Sequence, residues 1–116
     1  MKLFEDGLLL RIFIGERDSY QGRPLHEQIV KKAKELDLAG ATVLRGMMGF
    51  GAHSRVHTTS LLRLSADMPL VVEIVDSEAY INRMLPFLDE MMTEGMITLE
   101  KVQVLKYGRQ RREIEE

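Results

Sequence analysis

The sequence predicts an α+β domain of the ferredoxin-like βαββαβ type, a four-stranded antiparallel sheet with two helices on one face. Three observations lead there. Short apolar runs alternate with period two, two longer stretches carry apolar stripes at helical spacing, and their order is strand, helix, strand, strand, helix, strand.

The first strand is Leu8 to Ile14, between Gly7 and Gly15. Leu8, Leu10, Ile12 and Ile14 share one face, while Leu9 and Phe13 share the other with Arg11 between them. A strand that is apolar on both faces needs cover on both, and here a second subunit can supply the second cover. Arg11 either snorkels from that face or reaches a ligand at a subunit edge.

Residues 16–23 form a polar turn, and Pro24 suits the first position of a helix because its missing N–H costs nothing there. Leu25, Ile29, Ala33 and Leu36 follow at helical spacing, with Val30 widening the stripe. Lys31, Lys32 and Lys34 fall on the opposite face and read as a solvated surface. Gly40 suits the end of this helix.

A second strand, Ala41 to Leu44, runs into Arg45-Gly46-Met47-Met48-Gly49-Phe50-Gly51, followed by His53, Arg55 and His57. Glycine permits close approach to the main chain, so such a cluster beside cations can hold an anion. The same residues equally suit a long hairpin loop. The third strand comes in two pieces, Leu61 to Leu64 and Leu70 to Val75. Asp76 or Ser77 can cap the next helix, whose stripe is Ile81, Met84, Leu85, Leu88, Met91 and Met92. Pro86 inside that stripe predicts a kink, and Gly95 the helix end. The last strand covers Ile97 to Tyr107 with Val102 and Val104 inward. Leu99 is out of phase with them, which predicts a bulge or a late start near Lys101.

At 116 residues, 45% of them apolar and 29% charged, the chain is one ordinary globular domain. Residues 1–107 form it, and 108–116 are a charged, flexible tail. A formal charge of -2 gives no pull toward nucleic acid. The absence of cysteine excludes disulfides and thiolate chemistry. The N-terminus has acids where a signal peptide has an apolar region, which points to the cytoplasm.

Gly46-Met47-Met48-Gly49-Phe50-Gly51, His57-Thr58, Leu64 to Pro69, Val72 to Asp76, and Leu85-Pro86 with Leu88 to Met91 resemble the PII-like family of uncharacterised proteins, domain of unknown function one-ninety. The resemblance covers the chain up to about Tyr107. It implies a homotrimer with an adenine nucleotide (ADP, ATP or AMP) in each cleft between subunits. It further implies a loop between the second and third strands, residues 46–60, that engages a partner, with a membrane transport protein as one such partner. Residues 46–60 contain no tyrosine, so modification of a loop tyrosine is not available.

The residues that can serve a nucleotide are therefore Arg11, Arg45, Gly46, Gly49, Phe50, Gly51, His57, Lys106 and Tyr107. Backbone N–H groups from Gly49 to Gly51, with Arg45 or Arg55, would hold phosphates. Phe50 would stack on a base or pack at a subunit seam, and Lys106, Tyr107 and Arg109 would close the cleft as charged residues there do in PII proteins, or form a solvated strand end. The glycine spacing matches neither a Walker loop nor a dinucleotide fingerprint. Glu73 and Asp76 are more simply a partner for Arg11 and a helix cap than an acid/base pair. No nucleophile–base–orienter set can be assembled, so the chain reads as a non-enzyme. The alternative is a small metal-dependent or nucleotide-hydrolysing enzyme using His53 and His57, which lack the glutamate of an HExxH site.

Overall fold

The architecture comes from a computed structural model, which describes residues 5–51 and 67–106. The elements are β1 (Glu5–Gly15), a small hairpin of β2 (Ser19–Tyr20) and β3 (Arg23–Pro24), α1 (Leu25–Glu35), β4 (Thr42–Arg45), β5 (Pro69–Asp76), α2 (Glu78–Met91) and β6 (Met96–Val104). The main sheet has the order β4-β5-β1-β6, antiparallel throughout. This is the predicted ferredoxin-like arrangement, with β1 and β5 central.

The period-two pattern of β1 and β5 explains the core. Leu10, Ile12, Val72 and Ile74 are fully buried, and Ile14 and Leu70 nearly so. From α1 they meet Leu25, Ile29 and Ala33, and from α2 Ile81, Met84, Leu88 and Met91. Burying each such side chain stabilises the fold by ~1.5–3 kcal/mol, which outweighs the weak helix propensity of the β-branched residues. Tyr80, which the apolar stripe of α2 omits, is also buried in this cluster.

Local chemistry differs from the sequence reading at several points. Pro24 lies just before α1, in the β2–β3 hairpin opposite Ser19, and Leu25 N–H donates to Asp18 O at 2.8 Å. The end of α1 is turned by Asp37 at φ 63, not by Gly40. Leu38 N–H then bonds Ala33 O at 3.0 Å and the Leu38 side chain is buried, a closure that aspartate tolerates in the left-handed region. Lys32 is half-buried, 4.4 Å above the Phe87 ring and 3.1 Å from Glu35, so that face is not uniformly solvated. Helix α2 continues through Pro86. Pro86 and Asn82, whose carbonyl loses its partner, are both exposed, so water can take that bond. Ser77 caps α2 by accepting from Tyr80 N–H, while Asp76 is buried and bonds Ala39 N–H at 2.8 Å and Ser77 N–H at 2.7 Å.

Strand β6 overturns two expectations. Its ladder with β1 runs unbroken from Phe13↔Met96 to Glu5↔Val104, with no bulge and no late start. Leu99 pairs with Leu10 and Ile97 with Ile12, which puts them on the helix side. Val102 and Val104 pair with Gly7 and Glu5 and lie on the opposite, uncovered side. Leu99 stays 46% exposed because β6 is the sheet edge, beyond the reach of the helices. The expected first piece of the third strand, Leu61 to Leu64, and the tail 108–116 lie outside the described residues.

Gly95 does not end α2, which closes at Met91. It turns the chain into β6 at φ 107. A Cβ there would stand 2.5 Å from Phe13 O and 2.9 Å from Met92 Cε. Gly95→Ala should therefore cost about 2 kcal/mol, combining backbone strain with displacement of β1. Gly22→Ala, at φ 77 with nothing within 4 Å, isolates the strain and should cost less. Urea unfolding of both variants checks this, and equal midpoints would refute the packing argument.

Candidate functional site

The far end of β1 is built as a rigid platform. Past Gly15, Glu16 N–H donates to Met68 O at 2.8 Å and Arg17 N–H to Asp67 Oδ1 at 2.8 Å. Asp18 Oδ2 accepts from Gly15 N–H at 2.9 Å. These bonds hold the β1 turn against the start of β5. The foot of the glycine stretch closes on the same place, where Gly46 N–H donates to Pro69 O at 2.7 Å. A Cβ on Gly46 would lie 2.7 Å from Pro69 Cγ, and one on Gly49 would lie 3.1 Å from it. At these two glycines the missing side chain serves close packing on Pro69. The Gly46 N–H is already engaged and is not a phosphate donor.

Beside this platform is a cleft of about 410 Å³. Phe13, Pro69, Leu70 and Val71 form its apolar wall, Phe50 and Gly51 close it from the loop, and Gly95 and Met96 from β6. Among the described residues its charged lining is acidic: Asp18, Asp67 and Glu94. The sequence reading missed these three, having taken 16–23 as a polar turn and Glu94 as part of a helix end. A carboxylate two or three residues from a strand terminus is the one signal that the three share.

The predicted site residues separate into groups. Arg45, Gly46, Gly49, Phe50 and Gly51 gather at the loop foot, with Phe50 73% exposed and lining the cleft. Arg45 Nε lies 3.2 Å from Glu16 Oε1, so its charge is partly neutralised. Arg11 does not line the cleft; it lies on the uncovered face of the sheet, two residues along β1 from Phe13. Its Nε donates to Glu73 Oε2 at 2.9 Å and a second guanidinium nitrogen meets Glu100. The hydrogen bond to Glu73, then the nearby carboxylate charge of Glu100, holds the guanidinium pKa above its ordinary value against the opposing effect of burial. The sequence reading paired Arg11 with Glu73; Glu100 enters only through the β1–β6 register. Lys106 follows the end of β6, beside the start of β1. Because β1 spans 11 residues, at ~3.3 Å per residue its ends lie roughly 33 Å apart. Lys106 therefore cannot reach the cleft of its own chain. His57, Tyr107 and His53 lie outside the described residues.

The uncovered face, onto which the cleft extends through Phe13, Val71 and Met96, is the second candidate surface. Phe13, Leu44, Val75 and Met96 are each more than a third exposed there, around the Arg11, Glu73 and Glu100 cluster. An exposed apolar patch of this kind, around an internally paired charge cluster, marks an association surface. Among the described residues no group of three His, Asp or Glu side chains could hold a metal, and no helix is long and apolar enough to cross a membrane.

Solved structures of the same fold carry nucleotides. The chain is similar to CPII of Thiomonas intermedia K12, bound to ADP and bicarbonate, with a TM-score of 0.61 and 16% identity over 89% of this chain and 92% of that one. It is also similar to a protein of Thermus thermophilus described as PII-like signaling, with a TM-score of 0.60 and 19% identity over 88% and 92%. In sequence it is 41% identical to a UPF0166 protein of Aquifex aeolicus and 35% identical to one of Methanocaldococcus jannaschii, in each case over 84% of this chain and 91% of the relative. The model of the DUF190 family, described as an uncharacterized ACR, matches residues 7–104. With the PII-like fold and this match across its whole sheet, the chain belongs to the DUF190 (UPF0166) family.

Proposed function

We propose that this protein is a cytoplasmic PII-like regulatory protein. It binds an adenine nucleotide (ADP, ATP or AMP) in clefts between the subunits of a homotrimer. Binding changes how the 46–60 loop is presented to a partner protein, a membrane transport protein in the reading that the resemblance suggests. The observation that carries the reading is the cleft at the loop foot. Phe50 and Gly51 of the loop line the same space as the rigid ends of β1 and β5, so a ligand there bears directly on the loop. The nucleotides in structures of this fold support the choice of ligand.

The separation of cations favours a site shared between subunits. Arg45 is partnered by Glu16, the charges lining the cleft are acidic among the described residues, and Lys106 stands at the other end of the sheet. A phosphate chain bound at this cleft needs cations, and a neighbouring subunit can bring its own Lys106 and Tyr107 to it. No catalytic role is required by this reading.

Calorimetric titration with ATP, ADP and AMP, after the mass in solution has been measured, tests it. One saturable site per subunit of a trimer is the expected result. A monomeric mass, or no heat with any of the three, would overturn the proposal.

A further inference from the structure

The sulfur in this chain is all thioether: eight methionines and no cysteine. The fold sorts those methionines by access. Met84 and Met91 are buried in the core, Met68 and Met92 are half-buried, and Met96 lies on the uncovered sheet face at 62% exposure. Met47 and Met48 stand apart at 89% and 70%, and Met47 is the most exposed large apolar side chain among the described residues. The chain is pinned on both sides of the pair. Gly46 N–H is bonded to Pro69 O, and Gly49 lies so close to Pro69 that a Cβ there would stand 3.1 Å from its Cγ. Neither methionine lines the cleft that Phe50 and Gly51 enter. Two adjacent thioethers are therefore held out in water, contributing nothing to the core and open to any oxidant in solution.

We propose that Met47-Met48 is an oxidation site whose co-substrate is a peroxide. The peroxide O–O bond breaks, and one oxygen bonds to sulfur, which gives up two electrons and becomes a sulfoxide. The other oxygen leaves as water or, from an alkyl peroxide, as an alcohol. A dithiol reverses the step: it becomes a disulfide, and the sulfoxide oxygen leaves as water. Oxidation turns a flexible apolar side chain into a polar one. At this place it changes the surface of the loop foot and spares the core, whose methionines are out of reach. The effect on a docked partner rests on the role of the loop proposed above, whereas the chemistry stands without it.

Brief exposure of the full chain to dilute hydrogen peroxide, followed by peptide mass mapping, tests the proposal. Met47 and Met48 should each gain one oxygen atom at least about tenfold faster than Met84 and Met91. Retention on a phenyl column should fall in step while the circular dichroism stays unchanged. A thiol-dependent methionine sulfoxide reductase should restore that retention. The double variant Met47→Leu with Met48→Leu keeps the apolar volume without the sulfur, so peroxide should leave most of its retention intact. Equal rates at the exposed and buried methionines, or an undiminished loss of retention in the double variant, would overturn the proposal. Met96 reports separately on the homotrimer. Its oxidation as fast as that of Met47 would show an open sheet face and count against the assembly, with the oxidation site still in place.

Discussion

Asp76→Ala should destabilise the protein by about 3–4 kcal/mol, the largest single effect expected outside the apolar core. The Asp76 side chain is fully buried, and its two oxygens accept from Ala39 and Ser77 N–H groups. Those bonds tie the α1–β4 connection to the junction of β5 and α2. Removing the carboxylate loses two hydrogen bonds to a charged acceptor, each worth ~1.5–3 kcal/mol, the one to the exposed Ala39 at the low end. Asp76→Asn keeps one accepting oxygen and should lose about half as much. Urea unfolding reads both as shifts in midpoint at an unchanged slope. A loss below about 1 kcal/mol for the alanine variant would mean that water or a shifted backbone replaces the carboxylate.

Val75→Lys should dissociate the proposed homotrimer and leave the subunit folded. Val75 is 37% exposed on the uncovered face, opposite Leu9 and remote from the cleft. In a lone subunit a lysine there reaches water and has Glu73 two residues away on the same face. In a packed assembly it is a buried charge without a designed partner. That penalty is several kcal/mol, so the dissociation constant should rise more than ~100-fold. Sedimentation at several concentrations, with circular dichroism on the same samples, separates assembly from folding. An unchanged mass would show that copies of the chain do not pack through this face.

Much of the fold was legible because it rests on local periodicity. Leu10, Ile12 and Ile14 alternate in β1, Leu70, Val72 and Ile74 in β5, and both runs are buried as the alternation requires. The stripe Ile81, Met84, Leu88 and Met91 places one face of α2 on them. Even the Arg11–Glu73 pair was readable, since both interrupt otherwise apolar faces. The phase of β6 was not readable. Alternation says that Val102 and Val104 share a side, but only the register with β1 says which side, and it places them away from the helices. The role of Gly40 failed for a related reason: a local preference was outvoted by the neighbouring turn at Asp37.

The candidate site divides along the same line. That residues 45–51 form a glycine-rich foot between strands follows from composition and order alone. What those glycines do depends on Pro69, whose ring and carbonyl sit against Gly46 across the β4–β5 pair. The acidic lining depends on three separate turns, bearing Asp18, Asp67 and Glu94, meeting at one end of the sheet. Side-chain spacing along single segments was enough to define the elements, the buried faces of the central strands and the place of the loop. It could not tell that Arg45 meets Glu16, that Lys106 lies a strand's length from the cleft, or that the cleft is acidic. Those are distances between segments, and they exist only once strand register has been set.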